Sequence, residues 1–240
     1  MPSLVRTEPL YDQIYEILWE KILALEILAG ARLRDVEWAE KLEVSRTPVR
    51  EALRKLQKDG ILEPIGHGRY VLKRISPTEL RALYRCRAVL EALAVQDLKG
   101  HLKSRDLAAL TTLVDKTQVA IDESDFRSAF QLNTEFHQRL TTLSGNTYLL
   151  LLLENIRRLI LFARSTLRTL IEQSDSLSGM YAEHLGRSQS YHVAILDGLK
   201  AGDYEGAARS MEQHLFQTAE DMSILFERAT QAVPAVAAGA

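Results

Sequence analysis

Residues 44–56, VSRTPVREALRKL, set Arg46, Thr47, Arg50 and Arg54 against an apolar series of Val49, Ala52, Leu53 and Leu56. That series follows the i, i+3, i+4, i+7 spacing of a buried helical stripe, so the basic set faces outward. Ser45 is placed to cap this helix, and Pro48 sits in its first turn, where a missing N–H costs little. Between 45 and 58 there are five cations and one anion, Glu51. Guanidinium groups grip phosphates and guanine edges bidentately, so the chemistry on offer is the binding of an anion. A solvated basic face is the plainer alternative. A second group is His137, His192 and His214, with Asn133 one helical turn before His137. Imidazole nitrogens ligate transition metals. Three histidines spread over 78 residues have no diagnostic spacing, however, and satisfied core or surface histidines remain an open reading. Arg87 and Glu91, at i and i+4, read on spacing alone as an intrahelical ion pair.

The elements that must position these groups follow from periodicity and breakers. Ile14, Ile17, Leu18, Ile22 and Leu25 predict an amphipathic helix over 10–28, ended by Ala29-Gly30. Arg32-Leu33-Arg34 leads to a second helix over 35–43, a brief turn at Glu43-Val44 precedes the basic helix, and Asp59-Gly60 closes it. Two β-rich runs, 61–65 and 69–73, flank Gly66-His67-Gly68, a hairpin signal. Helix, helix, short turn, helix and hairpin is the order of a winged helix-turn-helix, whose last helix enters the major groove. That order favours the anion-binding reading of the basic face. From Ser76-Pro77 onward strand signals vanish. Six helices are predicted over 77–99, 104–122, 125–144, 147–173, 180–200 and 204–229, with 230–240 a disordered tail. The fold class expected is therefore mainly α: a winged helix-turn-helix over 1–75, then an all-α six-helix domain over 76–229.

Composition narrows the function classes. The 240 residues are 46% hydrophobic and 26% charged, ordinary for a globular chain, and the net charge of −2 advertises no global field for nucleic acid. Residues 1–75 carry 13 Lys/Arg against 12 Asp/Glu, so any binding signal is local. The lone cysteine, Cys86, suits a reducing cytoplasm, and Met1–Leu10 lacks the apolar core of a signal peptide. The run YLLLLL at 148–153 is interrupted by Glu154, Arg157, Arg158 and Arg164, well short of the ~20 apolar residues of a membrane span. No Gly-rich phosphate loop, nucleophile elbow or HExxH motif appears, so enzyme chemistry is not expected.

The run GARLRDVEWAEKLEVSRTPVREALRKLQKDGILEPIGHGRYV resembles the DNA-binding domain of GntR-family bacterial transcription regulators. RAVLEALA at 87–94, NTEFHQRLTTLSGN at 133–146, YHVAILDGLKAGDYEGAA at 191–208 and MEQHL at 211–215 resemble the helical effector-binding domain of the family's FadR/FCD branch. Six C-terminal helices look more like its VanR-like subgroup than like FadR itself. The resemblance covers about residues 8–225. It implies that Arg46, Thr47 and Arg50, with Ser45 and Arg54 beside them, meet bases and phosphates, and that the His67-Gly68 wing tip meets the DNA backbone or minor groove. Many relatives carry an arginine where this chain has Val36, and Arg34 stands nearby as a substitute. The resemblance also implies that Asn133, His137, His192 and His214 hold a divalent transition metal, zinc or nickel. Arg87 would then catch a ligand carboxylate, with Glu91 and Arg164 as further effector-pocket candidates. His184 has no counterpart in the pattern and is expected at the surface.

These expectations combine into a cytoplasmic homodimer on an inverted-repeat operator, a repressor or an activator controlled by a small organic acid, with the repressor the favoured sign. A regulator for which the ion itself is the effector is the alternative, and a metal-dependent hydrolase a remote one. Replacing Arg46 and Arg50 with alanine is expected to abolish operator binding and leave the fold intact.

Overall fold

The computed structural model describes residues 9–172 and 174–232, and among them nine helices and three short strands. Contacts divide the chain into two units. One runs through Ile75 and includes Leu161–Thr166; the other is Ser76–Ile160 with the chain from Leu167.

The first unit contains α1 (Leu10–Leu23), β1 (Arg32–Arg34), α2 (Asp35–Lys41), α3 (Arg46–Lys58), β2 (Leu62–Gly66) and β3 (Arg69–Leu72). Val49, Ala52, Leu53 and Leu56 are fully buried against the α1 residues Ile14, Leu18 and Ile22, at about 1.5–3 kcal/mol for each large side chain. Tyr15 Oη donates to Asp59 Oδ2 (2.7 Å) and Lys55 Nζ to Asp12 Oδ1 (2.7 Å), tying α1 to both ends of this contact. The hairpin is joined by a third strand that the sequence had not announced: β1 pairs antiparallel with β3, with Leu33 opposite Tyr70, in the order β1-β3-β2. Ser45 occupies the N-cap position of α3 but makes no side-chain capping bond.

Helix α1 ends at Leu23, five residues before the periodicity suggested. Its stop uses no glycine. Leu25 takes φ +60°, its N–H reaches Ile22 O (3.1 Å) and the Glu26 N–H reaches Lys21 O (2.9 Å), the paired bonds of a Schellman motif. The same device closes α2. Glu43, at φ +53°, bonds Glu40 O (3.2 Å) and Val44 bonds Ala39 O (3.0 Å). A side chain in this left-handed region costs about 1–2 kcal/mol, partly offset by its smaller unfolded-state entropy relative to glycine. Glu43 is exposed and lies in the turn that aims α3. Glu43→Gly should therefore raise stability by roughly 0.5–1 kcal/mol in urea unfolding; a loss of stability would show that the Glu43 side chain makes a compensating contact.

The second unit is all helical: α4 (Pro77–Gln96), α5 (Ser104–Asp122), α6 (Phe126–Leu143), α7 (Thr147–Glu172) apart from its Leu161–Thr166 stretch, α8 (Asp175–Ala201) and α9 (Tyr204–Ala232). Helix α9 packs along α4 and α8, and α5 along α6 and α8. A capping box starts α4: the Glu79 N–H donates to Ser76 Oγ (3.2 Å) and the Ser76 N–H to the Glu79 carboxylate (2.9 Å), with Pro77 at the first helical position. Helix α8 begins five residues earlier than expected, because Ser174 caps it and Leu177 and Tyr181 are buried; Gly179 is simply helical. Gly198, on α8, touches α9 so closely that a Cβ there would stand 3.0 Å from Ala207 Cβ and 3.1 Å from Ala207 N. Helix α9 continues through Ala232, so 230–232 are not the tail expected there, and the remainder of that tail lies outside the described residues. No described helix is long and apolar enough to cross a membrane.

Candidate functional site

Three helices of the second unit each supply one histidine: His137 from α6, His192 from α8 and His214 from α9, all 2% exposed or less. Their Nε2 atoms form a triangle, His137–His192 at 3.3 Å, His192–His214 at 3.2 Å and His137–His214 at 3.2 Å. This is also the one group of three such ligand atoms found among the described residues.

Glu91, on α4, decides how His137 presents itself. Its carboxylate is fully buried, and Oε2 stands 2.6 Å from His137 Nδ1 while Oε1 accepts from Arg87 Nε (2.7 Å) and Arg157 Nη2 (3.4 Å). Burial pushes the Glu91 pKa up, but Arg87, His137 and Arg157 outweigh it and hold the carboxyl well below its ordinary 4.5. An ionised carboxylate accepts only, so the His137 proton is assigned to Nδ1 and the Nε2 lone pair turns toward the other two rings. Arg157 also donates to Thr141 Oγ1 (2.6 Å) and to the His137 carbonyl (3.3 Å), fixing the helical turn that carries the ring.

Burial, then the neighbouring imidazoles, holds His192 and His214 well below the ordinary 6.5, so both are neutral at pH 7. Neither of their Nδ1 atoms has a hydrogen-bond partner, and neither does the buried Oδ1 of Asn133 on the His137 face of α6. Three neutral imidazoles cannot satisfy a triangle of Nε2 atoms, each being either a donor or an acceptor, since at least one edge must set donor against donor or lone pair against lone pair. A cation resolves that. Nitrogen ligands about 2.1 Å from one metal stand roughly 3.0–3.4 Å apart between right-angled and tetrahedral arrangements. The triangle fits, and the carboxylate on the far nitrogen of His137 is the usual outer partner of a metal-bound histidine.

Glu91 is thus placed behind His137, with both oxygens engaged. Arg164 is buried, in the stretch of α7 that groups with the first unit. His184 corrects the surface expectation. It is 2% exposed, with Nδ1 3.0 Å from Asp221 Oδ2, which Arg187 also holds at 3.1 Å. The buried stripe Tyr181, His184, Leu185, Ser188, His192 was readable once α8 was extended to its true start.

In the first unit Arg46 and Arg50 emerge together from the first turns of α3, their side chains 55% and 29% exposed. Both reach Asp35, at 3.2 and 2.7 Å. Thr47 and His67 are exposed, Arg54 leans on Glu51 (2.9 Å), and Arg34 pairs with Glu37 (3.0 Å). Gly68 is buried, and its carbonyl accepts from the Asp35 N–H (3.0 Å). Asp35 was missed because a carboxylate in a first helical turn reads as a dipole partner.

Comparison with known proteins agrees with both halves. "Bacterial regulatory proteins, gntR family" matches residues 10–69, and "FCD domain" matches residues 82–217. The HTH-type transcriptional regulator YdhC of Bacillus subtilis (strain 168) is 31% identical over 163 residues, 68% of this chain and 73% of that protein. The HTH-type transcriptional repressor RspR of Escherichia coli (strain K12) is 26% identical over 220 residues, 90% of each. The solved structure of E. coli McbR/YncC superposes with a TM-score of 0.66 at 25% identity, covering 92% of this chain and 99% of that one.

Proposed function

The chain belongs to the GntR family of bacterial transcriptional regulators and carries that family's FCD domain, and from that premise we propose that it is a homodimeric repressor released from an inverted-repeat operator by a small carboxylate effector. The observation that carries the effector half is the Nε2 triangle of His137, His192 and His214, with Glu91 fixing the His137 tautomer. With the amide oxygen of Asn133 these residues would hold a divalent transition metal, zinc or nickel. Bound there, the ion would act as a Lewis acid for a ligand oxygen. Arg87 gives its Nε–H to Glu91, and its outer N–H groups are left to pair with the ligand carboxylate.

The DNA half rests on Arg46, Thr47 and Arg50 at the N-terminal turns of α3, flanked by Ser45 and Arg54, with Arg34 and the wing residues His67 and Gly68 on the backbone. Two-fold symmetry in protein and operator is supported by Tyr148, Leu151 and Leu152, which stand 81%, 67% and 58% exposed on one face of α7. The relative named as a repressor supports the sign.

The test is a DNA-binding titration on an operator selected from random duplexes. Zinc or nickel together with the right acid from a panel of small carboxylates should weaken binding about 5- to 150-fold, a coupling of roughly 1–3 kcal/mol. A full response to metal alone would make the ion itself the effector. No response to any combination would remove the effector reading.

A further inference from the structure

The buried carboxylate of Asp35 lies directly behind the two arginines of α3. Its side chain is 4% exposed; Oδ2 accepts from Arg50 Nε (3.0 Å) and Nη2 (2.7 Å), and both oxygens lie 3.2–3.3 Å from Arg46 Nη2. Its own N–H donates to the Gly68 carbonyl in the wing turn (3.0 Å), and that turn sits on the carboxylate: a Cβ at Gly68, which has φ +65°, would stand 2.5 Å from Asp35 Oδ2. One residue therefore joins the start of α2, the exposed face of α3 and the wing. Burial pushes its pKa up, but the two arginines outweigh this and keep it lowered, so Asp35 is an anion at neutral pH.

An anion beneath a surface meant for phosphates is costly unless it does something the arginines cannot do alone. It opposes the phosphates and halves the net charge of the cluster from +2 to +1. A buried ion pair is also weak evidence of stabilisation, since a well-packed apolar replacement often serves as well. What it does supply is geometry. A guanidinium held through Nε and Nη2 has lost most of its rotamer freedom, and its remaining N–H groups point one way. An unrestrained arginine swings toward the nearest phosphate, which carries no sequence information.

We propose that Asp35 is a positioning residue that sets sequence specificity: it fixes Arg46 and Arg50 in the orientation that meets base edges and lowers their affinity for phosphates at large. This rests on the DNA-binding reading above, and goes beyond it by assigning discrimination to a residue that need not touch DNA.

The test is Asp35→Asn, which keeps the shape and removes the charge, in the full chain. Fluorescence anisotropy is measured on the selected operator and on a scrambled duplex of equal length, across a salt series. Operator binding should weaken about ten- to hundredfold, the worth of a mispositioned bidentate contact. Binding to scrambled DNA should tighten, and its log–log salt slope should steepen by up to about 0.9, one further phosphate neutralised. The ratio of the two affinities then falls at least tenfold. A merely structural role would weaken both duplexes together and leave the ratio unchanged, and that result overturns the proposal, as does an unaltered ratio at wild-type affinity. If Asp35→Asn does not fold, Asp35→Glu carries the test. It keeps the charge on a longer arm, so the salt slope stays at its wild-type value while the ratio drops about three- to tenfold; an unchanged ratio again overturns the proposal. Failure of the wild-type chain to prefer its operator over scrambled DNA would instead sink the DNA-binding reading itself.

Discussion

Arg46→Ala and Arg50→Ala together should weaken operator binding by about 10²–10⁴-fold, since each removes a guanidinium whose bidentate contact is worth roughly 1–3 kcal/mol. The structure changes what else that experiment will show. Asp35 is buried and its two described partners are these arginines, so the double variant strands a carboxylate in the interior. Removing the partners of a buried charge typically costs about 3–5 kcal/mol. The fold will not be untouched, contrary to the expectation from sequence. Arg46→Ala alone is the cleaner variant, because Arg46 is 55% exposed and Arg50 still covers Asp35. It should lose about ten- to hundredfold on the operator with less than about 1 kcal/mol of stability, the scale of an exposed ion pair. Anisotropy and thermal melts on the same samples separate the two effects. Wild-type operator affinity in both Arg46→Ala and Arg50→Ala would eliminate α3 as the reading element.

The second large effect is expected at the histidines. Zinc or nickel at 100 times its dissociation constant should stabilise the chain by about 2.7 kcal/mol. For units of this size that is roughly 5–11 °C in Tm. His192→Ala leaves two of the three convergent nitrogens and should abolish the increment. Acid gives an independent check, and its sign follows from the lowered pKa values. Between 6.5 and the depressed folded values, the unfolded chain binds more protons at His192 and His214 than the native one does. Stability of the metal-free protein therefore rises with pH through that window and falls as pH drops below 6.5. The same depression keeps the native ring nitrogens free of protons in mild acid, so the metal increment should persist at pH 6. Its disappearance there, or its survival in His192→Ala, would contradict the assignment of these three side chains as ligands.

Much of this was legible in the residues, and the failures have causes. Helix α5 was read to its ends because Leu110, Leu113, Val114 and Ala120 keep strict helical spacing between clear breakers. Strand β1 was not, since three residues with a single apolar position, Leu33, carry no alternation and owe their conformation to pairing with β3. The end of α1 was misjudged because its left-handed residue is a leucine rather than a glycine, and the start of α8 because Gly179 passes for a break. The basic face of α3 declared itself through composition. The histidines did not: their spacing is uninformative, and only the tertiary fold turns Nε2 atoms from three helices toward one point. Asp35, Arg157 and His184 share that property, each being ordinary in sequence and defined by partners far along the chain.

Gly198 and Ala207 lie six residues after His192 and seven before His214, in helices that run back to back. With no side chain at 198, α8 and α9 approach closely at this point, about two turns from either imidazole. Were an ion held at those imidazoles as proposed, its size preference would depend on helix separation as much as on ligand identity. A lineage could retune it with one methyl group placed two turns away, leaving every coordinating atom unchanged.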